Sequence, residues 1–91
     1  MTTSLPSDIQ LRRLLWRATH RGIKEMDLLM GGYAQAHLAD LDEQRLSEFE
    51  TLLELPDQDL LAWAMGTAEI PPQHDSPLLR AILAFRPKAL A

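Results

Sequence analysis

The histidine and serine residues are the side chains of this sequence that could bind a metal ion or act as nucleophiles. A helical zinc site needs two histidines about four residues apart, together with a further ligand. The three histidines, His20, His37 and His74, lie in three separate segments, and no pair has this spacing. Cysteine is absent, which excludes thiolate ligands, thiol nucleophiles and disulfides. We therefore expect no metal site.

The other polar residues do not form an arrangement typical of enzymes either. A nucleophilic serine requires a sharp strand-to-helix turn, whereas the serines here fall at expected helix caps or on a polar face. Gly31 and Gly32 lack the spacing of a phosphate-binding or dinucleotide-binding loop. General acid–base catalysis requires a pocket that separates two pKa values, and the sequence predicts no such pocket. We expect a protein that is not an enzyme and binds no cofactor stably.

One short charged segment stands out, and we refer to its residues as the 21–25 turn: Arg21, Gly22, Ile23, Lys24 and Glu25. It combines a cation, a chain reversal and an anion between two predicted helices. Because glycine has no side chain, another backbone can approach closely, and the flanking charges can bind it. The same residues also fit ordinary helix ends, with Gly22 as C-cap and Glu25 as a first-turn acid. The residues alone leave both interpretations open.

Apolar residues recur at helical spacing in five segments, and no segment alternates with the period of a strand. The first helix begins at Ser7, which starts a capping-box pattern, and ends at Gly22. The second is predicted over residues 24–36. It contains two adjacent glycines, which either weaken it or mark the close approach of another helix.

The second half of the chain predicts three more helices. One covers residues 42–54, with Asp42 or Asp40 as its N-cap. The next begins at Asp57, its expected N-cap, and ends before Gly66. Residues 67–74 form a loop, and a last helix covers residues 76–85. The predicted fold is all-α: a single small domain over residues 1–91, a bundle of about five short helices with its core at about 7–86 and flexible ends.

Charge is distributed unevenly along the chain. Residues 1–24 carry five Lys or Arg residues and one Asp, whereas residues 40–59 carry eight carboxylates and one Arg. Such a dipole can orient a protein partner, and its acidic half should repel a nucleic-acid backbone.

No apolar run is long enough to cross a membrane, and the N-terminus does not resemble a secretory signal. The basic residues 9–24 also fit a transit peptide, but we assign them to the fold.

Four segments together resemble a known family. The 21–25 turn contains Arg-Gly-x-x-Glu after a basic helix, and an apolar stripe continues to Tyr33. Two further motifs follow: Phe49-Glu50-x-Leu52-Leu53-Glu54 and Asp57-x-Asp59-Leu60-x-x-Trp63. In this order and spacing, over residues 10–66, they resemble the small succinate dehydrogenase assembly factors, also called flavinators or FAD assembly factors. The adjacent glycines of the second helix depart from the family pattern.

The resemblance implies an assembly factor that binds the flavoprotein subunit of succinate dehydrogenase, or of fumarate reductase, and promotes covalent attachment of FAD to that subunit. It places the 21–25 turn at this interface, where we expect the charged residues to reach outward. Asp57, Asp59 and Trp63 match a second family signature, which we interpret as mainly structural, with Asp57 as a cap and Trp63 in the core. FAD is then bound by the partner.

Family members are proteins of the bacterial cytoplasm or the mitochondrial matrix, and we expect a bacterial, cytoplasmic monomer that neither binds nucleic acid nor enters a membrane. Two other interpretations remain open. The chain could be a helical adaptor for an unrelated client, docking through its basic first helix. It could also be a small nucleic-acid-binding regulator, which the acidic half disfavours.

Overall fold

The structure, a computed structural model, describes residues 8–85. It contains five α-helices: α1 (Asp8–Thr19), α2 (Lys24–His37), α3 (Glu43–Leu52), α4 (Asp57–Met65) and α5 (Pro77–Ala84). A short 3-10 turn, Leu38–Asp40, follows α2. No residue in the described range lies in a strand. The prediction of a small all-α bundle is confirmed, whereas the proposed Ser7 cap and the flexible ends lie outside the described residues.

One apolar core joins the helices. Its fully buried large side chains come from α2, α3, α4 and α5: Met26, Met30, Phe49, Leu60, Leu79 and Ile82. Leu14 and Ala18 add the buried stripe of α1. Among the described residues, no polar or charged residue falls in the buried class. Apolar burial therefore stabilises the bundle, at about 1.5–3 kcal/mol for each large side chain that leaves water.

The C-terminal end of α1 differs from the sequence prediction. α1 ends at Thr19 and does not reach Gly22. The Thr19 hydroxyl lies 2.9 Å from the Leu15 carbonyl oxygen, and His20 Nδ1 lies 2.8 Å from the carbonyl oxygen of Trp16. Because these side chains occupy carbonyls of the last turn, the helix needs no glycine cap and the chain leaves it early.

Of the caps predicted for α1, α3 and α4, those at Asp42 and Gly66 are confirmed and those at Gly22 and Asp57 are wrong. Asp42 accepts the Arg45 backbone N–H at 2.8 Å at the start of α3, and Ser76 accepts that of Leu79 at 3.1 Å at the start of α5. Gly66, with φ of +77°, ends α4. The assignment of Asp57 as N-cap of α4 is incorrect, because Pro56 occupies that position and Asp57 is the first helical residue.

The paired glycines of α2 mark a close helix crossing. α2 is continuous through them and packs against α1. A side-chain carbon at Gly31 would lie 2.8 Å from Thr19 Cγ2, 3.1 Å from Thr19 Cα and 3.2 Å from the Ala18 carbonyl oxygen. Gly31 lets the backbone of α1 approach, which is the second of the two explanations offered by the sequence.

We predict that Gly31→Val destabilises the protein by at least about 2 kcal/mol, because its side chain would push α1 away from α2. Urea unfolding followed by circular dichroism measures this change. Ala36→Val, at an exposed position of the same helix, is the matched control and should cost less than about 1 kcal/mol. Equal losses in the two variants would show that the crossing has room for a side chain.

Candidate functional site

The 21–25 turn has a defined backbone. Gly22 has φ of +108°, a left-handed conformation that glycine adopts readily and other residues rarely do. Ile23 is extended and is the N-cap of α2, and its carbonyl accepts the backbone N–H groups of Met26 and Asp27, each at 3.0 Å. The Arg21 backbone N–H donates to the Asp27 carboxylate. The first turn of α2 thus fixes the turn that precedes it.

The side chain of Arg21 points into the fold. Its Nε donates to Asp57 Oδ1 at 2.7 Å, one terminal nitrogen donates to the Leu53 carbonyl at 2.7 Å, and the other donates to the Leu55 carbonyl at 2.8 Å. The side chain of Arg21 is 9% exposed and that of Asp57 is 14% exposed. The expectation that the charged residues all reach outward is therefore wrong for Arg21, whose donors are used within the chain.

Asp57, the first residue of the second family signature, lies beside the 21–25 turn. Besides pairing with Arg21, its Oδ2 lies 3.7 Å from the position that a side-chain carbon would take at Gly22. Asp59 is exposed in the first turn of α4. Trp63 packs against the core while remaining partly exposed, and its ring centroid lies 5.9 Å from that of His74. Asp57 therefore forms an ion pair with Arg21 of the turn and does not cap α4.

Lys24 and Glu25 are the outward-facing charges of the turn. Both side chains are exposed in the first turn of α2. Neither forms an ion pair with another residue of the described range 8–85. The exposed surface of the turn consequently consists of the Gly22 backbone and two charged side chains of opposite sign.

The sequence offered the basic first helix as a docking face for an unrelated client, but it did not identify the exposed apolar residues on that helix. Trp16 is 62% exposed and Ile9 is 66% exposed. The Trp16 indole stacks on the His20 imidazole, with centroids 4.2 Å apart and an interplanar angle of 12°. The signal was present in the helical wheel, since Trp16 falls opposite the buried Leu14 and Ala18.

A groove of about 570 Å³ lies between α3 and the loop before α5. Its wall includes the carboxylates of Glu43, Glu48 and Asp75. The hydrogen bond from Arg80 lowers the pKa of Asp75 below its ordinary value, so this carboxylate stays ionised. Within residues 8–85, no group of three potential metal ligands lies close together. The described helices are also too short or too polar to cross a lipid bilayer.

We predict that Arg21→Ala destabilises the protein by about 2–4 kcal/mol, because it leaves a mostly buried carboxylate and two backbone carbonyls without their donor. Arg17→Ala is the matched control. Arg17 pairs with the exposed Glu54 at 2.7 Å, and its loss should cost less than about 1 kcal/mol. Thermal or urea unfolding compares the two variants, and a loss no larger for Arg21 than for Arg17 would contradict the structural role of Arg21.

Comparison with known proteins places the chain in a family. Residues 12–86 match the sequence model of the family described as "Flavinator of succinate dehydrogenase". The chain is similar to the FAD assembly factor SdhE of Acetobacter pasteurianus, with 38% identity over 79% of this chain and 66% of that protein. It is 32% identical to the mitochondrial succinate dehydrogenase assembly factor 2 of Dictyostelium discoideum over 78% of this chain and 50% of that protein. Assembly factor 2-B of Drosophila simulans is 33% identical over 85% of this chain and 51% of its own length.

The aligned region thus covers about one half to two thirds of the relatives' length. The family match includes the 21–25 turn, Asp57, Asp59 and Trp63. It also extends past residue 66, where the motifs of the sequence analysis stopped, and so includes α5. The chain belongs to the flavinator of succinate dehydrogenase family.

Proposed function

We propose that this chain binds the flavoprotein subunit of succinate dehydrogenase and promotes covalent attachment of FAD to that subunit, with the 21–25 turn at the contact. Membership of the flavinator family is the observation that carries the proposal, since the family and its relatives are named for this task. The exposed Lys24 and Glu25 support the location, because they are charged, lie next to a glycine and have no ion-pair partner within residues 8–85.

The turn suits the recognition of another backbone. Gly22 presents no side chain, and its left-handed conformation is fixed before binding by the contacts of Arg21 with Asp27 and Asp57. A partner therefore meets a preformed surface, and little conformational entropy is lost on binding. Glu25 can accept hydrogen bonds from the partner, whereas the guanidinium of Arg21 positions the turn without contacting the partner.

Within residues 8–85, the groove beside α3 is a poor match for FAD. Its wall contains Glu43 and Glu48, which would repel the pyrophosphate of a dinucleotide, and Asp75, which is already paired with Arg80. We therefore propose that the flavoprotein binds FAD and supplies the reacting histidine, and that the cofactor contributes the electrophilic chemistry. The assembly factor has no catalytic residue in this proposal.

Binding alone is sufficient for such a helper. A protein that binds an immature conformer more tightly than the mature one shifts the population toward the immature conformer. If that conformer aligns the histidine with FAD, attachment accelerates because the reacting groups are already oriented. Release follows when the mature subunit no longer matches the turn. The same contact would serve a fumarate reductase flavoprotein, and we propose that the free factor is a cytoplasmic monomer.

We predict that Glu25→Ala lowers covalent FAD at least about tenfold, equivalent to about 1.4 kcal/mol of lost interaction. The measurement is protein-bound flavin fluorescence on a denaturing gel, after expression of the flavoprotein subunit in cells whose only assembly factor is the variant. Glu43→Ala removes an exposed first-turn acid from α3 and is the matched control, expected to leave labelling unchanged.

Co-purification distinguishes the proposed client from others. The wild-type chain should co-purify with the flavoprotein subunit, and folded Glu25→Ala should do so less. Full labelling with folded Glu25→Ala would refute the role of the turn. Recovery of an unrelated client without the flavoprotein would favour a general helical adaptor.

A further inference from the structure

We propose that the outer face of α1, defined by Ile9, Arg12, Arg13, Trp16 and His20, docks onto an acidic, partly apolar surface of the flavoprotein subunit, with Trp16 as its anchor. The inference rests on the proposed function and adds to it a second contact, on a helix that precedes the 21–25 turn.

Four of these residues share one side of the helix. Successive residues of an α-helix are rotated by about 100°, so positions 9, 12, 13 and 16 fall within one third of the circumference. His20 follows the last residue of α1 and joins this face by stacking on Trp16. The core-facing residues Leu14 and Ala18 lie on the opposite side. Two of the three strongly exposed large apolar residues in the described chain, Ile9 and Trp16, lie on this face. Their clustering on a single helix distinguishes the face from scattered surface apolar residues.

Trp16 is held in place before any partner binds. His20 Nδ1 lies 2.8 Å from the carbonyl oxygen of Trp16 and 3.0 Å from the Thr19 hydroxyl, and in the tautomer with hydrogen on Nδ1 it donates to that carbonyl. This bond keeps the imidazole stacked on one face of the indole. The other parts of the indole remain exposed, and the side chain loses little rotamer freedom on docking. Tryptophan in such a preorganised position is typical of residues that dominate binding energy at interfaces.

The charge of the face indicates the occupant. No carboxylate of residues 8–85 lies within 4.0 Å of the guanidinium of Arg12 or Arg13. Arg17, on the flank of the same helix, is instead neutralised by Glu54 at 2.7 Å and lies 4.0 Å from Glu50. Arg12 and Arg13, beside the exposed indole, fit carboxylates that surround an apolar pocket on a protein. A nucleic acid fits less well, because the whole chain has a net charge of −4.

The face continues into the proposed contact. His20 immediately precedes Arg21, and the stacked rings lie at the end of α1 from which the 21–25 turn emerges. The proposed partner spans both the Trp16–His20 stack and Glu25. In this arrangement the α1 outer face supplies binding energy, and the turn acts on the partner's flavin-binding region.

The test measures the dissociation constant between the full chain and the purified flavoprotein subunit that lacks covalent FAD, by isothermal titration calorimetry. Trp16→Ala should raise the dissociation constant roughly 30-fold or more, the effect of losing an interface hot spot. The double variant Arg12→Glu, Arg13→Glu should raise the dissociation constant about tenfold or more at low salt, and less at high salt. Met65→Ala removes an equally exposed apolar side chain, 69% exposed at the end of α4, and should change the constant less than about twofold. Circular dichroism verifies that each variant is folded.

Fluorine NMR gives a direct view of the contact. The chain contains two tryptophans, Trp16 and Trp63, and 5-fluorotryptophan labels both. Addition of the flavoprotein subunit should shift or broaden the Trp16 resonance, assigned by its absence in Trp16→Ala, more strongly than that of Trp63. A change confined to Trp63 would overturn the inference.

The remaining outcomes separate this inference from the proposed function. If wild type binds the flavoprotein and supports FAD attachment while folded Trp16→Ala binds equally well, the docking face is refuted and the proposed function stands. If wild type does not bind the flavoprotein, both fail. Loss of binding to single-stranded oligouridine in Trp16→Ala, with flavoprotein affinity unchanged, would assign the face to nucleic acid and also overturn the inference.

Discussion

The ion pair between Arg21 and Asp57 connects two turns on which the rest of the structure depends. One guanidinium donates to the Asp57 carboxylate and to the carbonyls of Leu53 and Leu55, so the turn between α1 and α2 is fastened to the turn between α3 and α4. Charged groups this far from water are stable only when their hydrogen-bonding capacity is used. Because apolar packing is not directional, these bonds supply the orientation that the core alone does not.

This arrangement divides the Arg-Gly-x-x-Glu motif between two tasks. Arg21 works inside the chain, whereas the Gly22 backbone and Glu25 face outward. Under the proposed function, a motif that would be expected to act as one surface contains a positioning residue, Arg21, and a contact residue, Glu25. Loss of Arg21 would then act through the stability of the turn, and loss of Glu25 through the contact with the partner. A stability measurement beside each functional assay separates the two.

The number of helices and most of their caps could be predicted from the sequence, since both depend on spacing and on local hydrogen bonds. The side chains of Asp42 and Ser76 cap their helices as such local patterns imply. Asp57 has an equally good capping pattern, yet its carboxylate pairs with an arginine 36 positions earlier, which only the tertiary fold brings near. The early end of α1 depends on the side chains of Thr19 and His20, which bind carbonyls of its last turn.

The residue types of the 21–25 turn marked it as a candidate, and the family resemblance implied a role in binding. The direction of its arginine could not be predicted, because it depends on which turn packs beside it. Sequence could not distinguish a glycine pair that weakens α2 from one that admits a neighbouring helix, because the answer lies in the contact of Gly31 with Thr19. The exposure of Trp16 followed from the helical wheel, although a tryptophan is more often interpreted as part of the core.

The hydrogen bonds of Arg21 restrict the length of the segment between α3 and α4. The guanidinium reaches the carbonyls of Leu53 and Leu55 only when the chain between α3 and α4 follows one path. An added or deleted residue there would move the two carbonyl oxygens away from the guanidinium nitrogens of Arg21. The α1–α2 turn would then shift as well. The segment between Gly66 and Ser76 makes no hydrogen bond to Arg21, so a change in its length would leave the α1–α2 turn in place at lower cost.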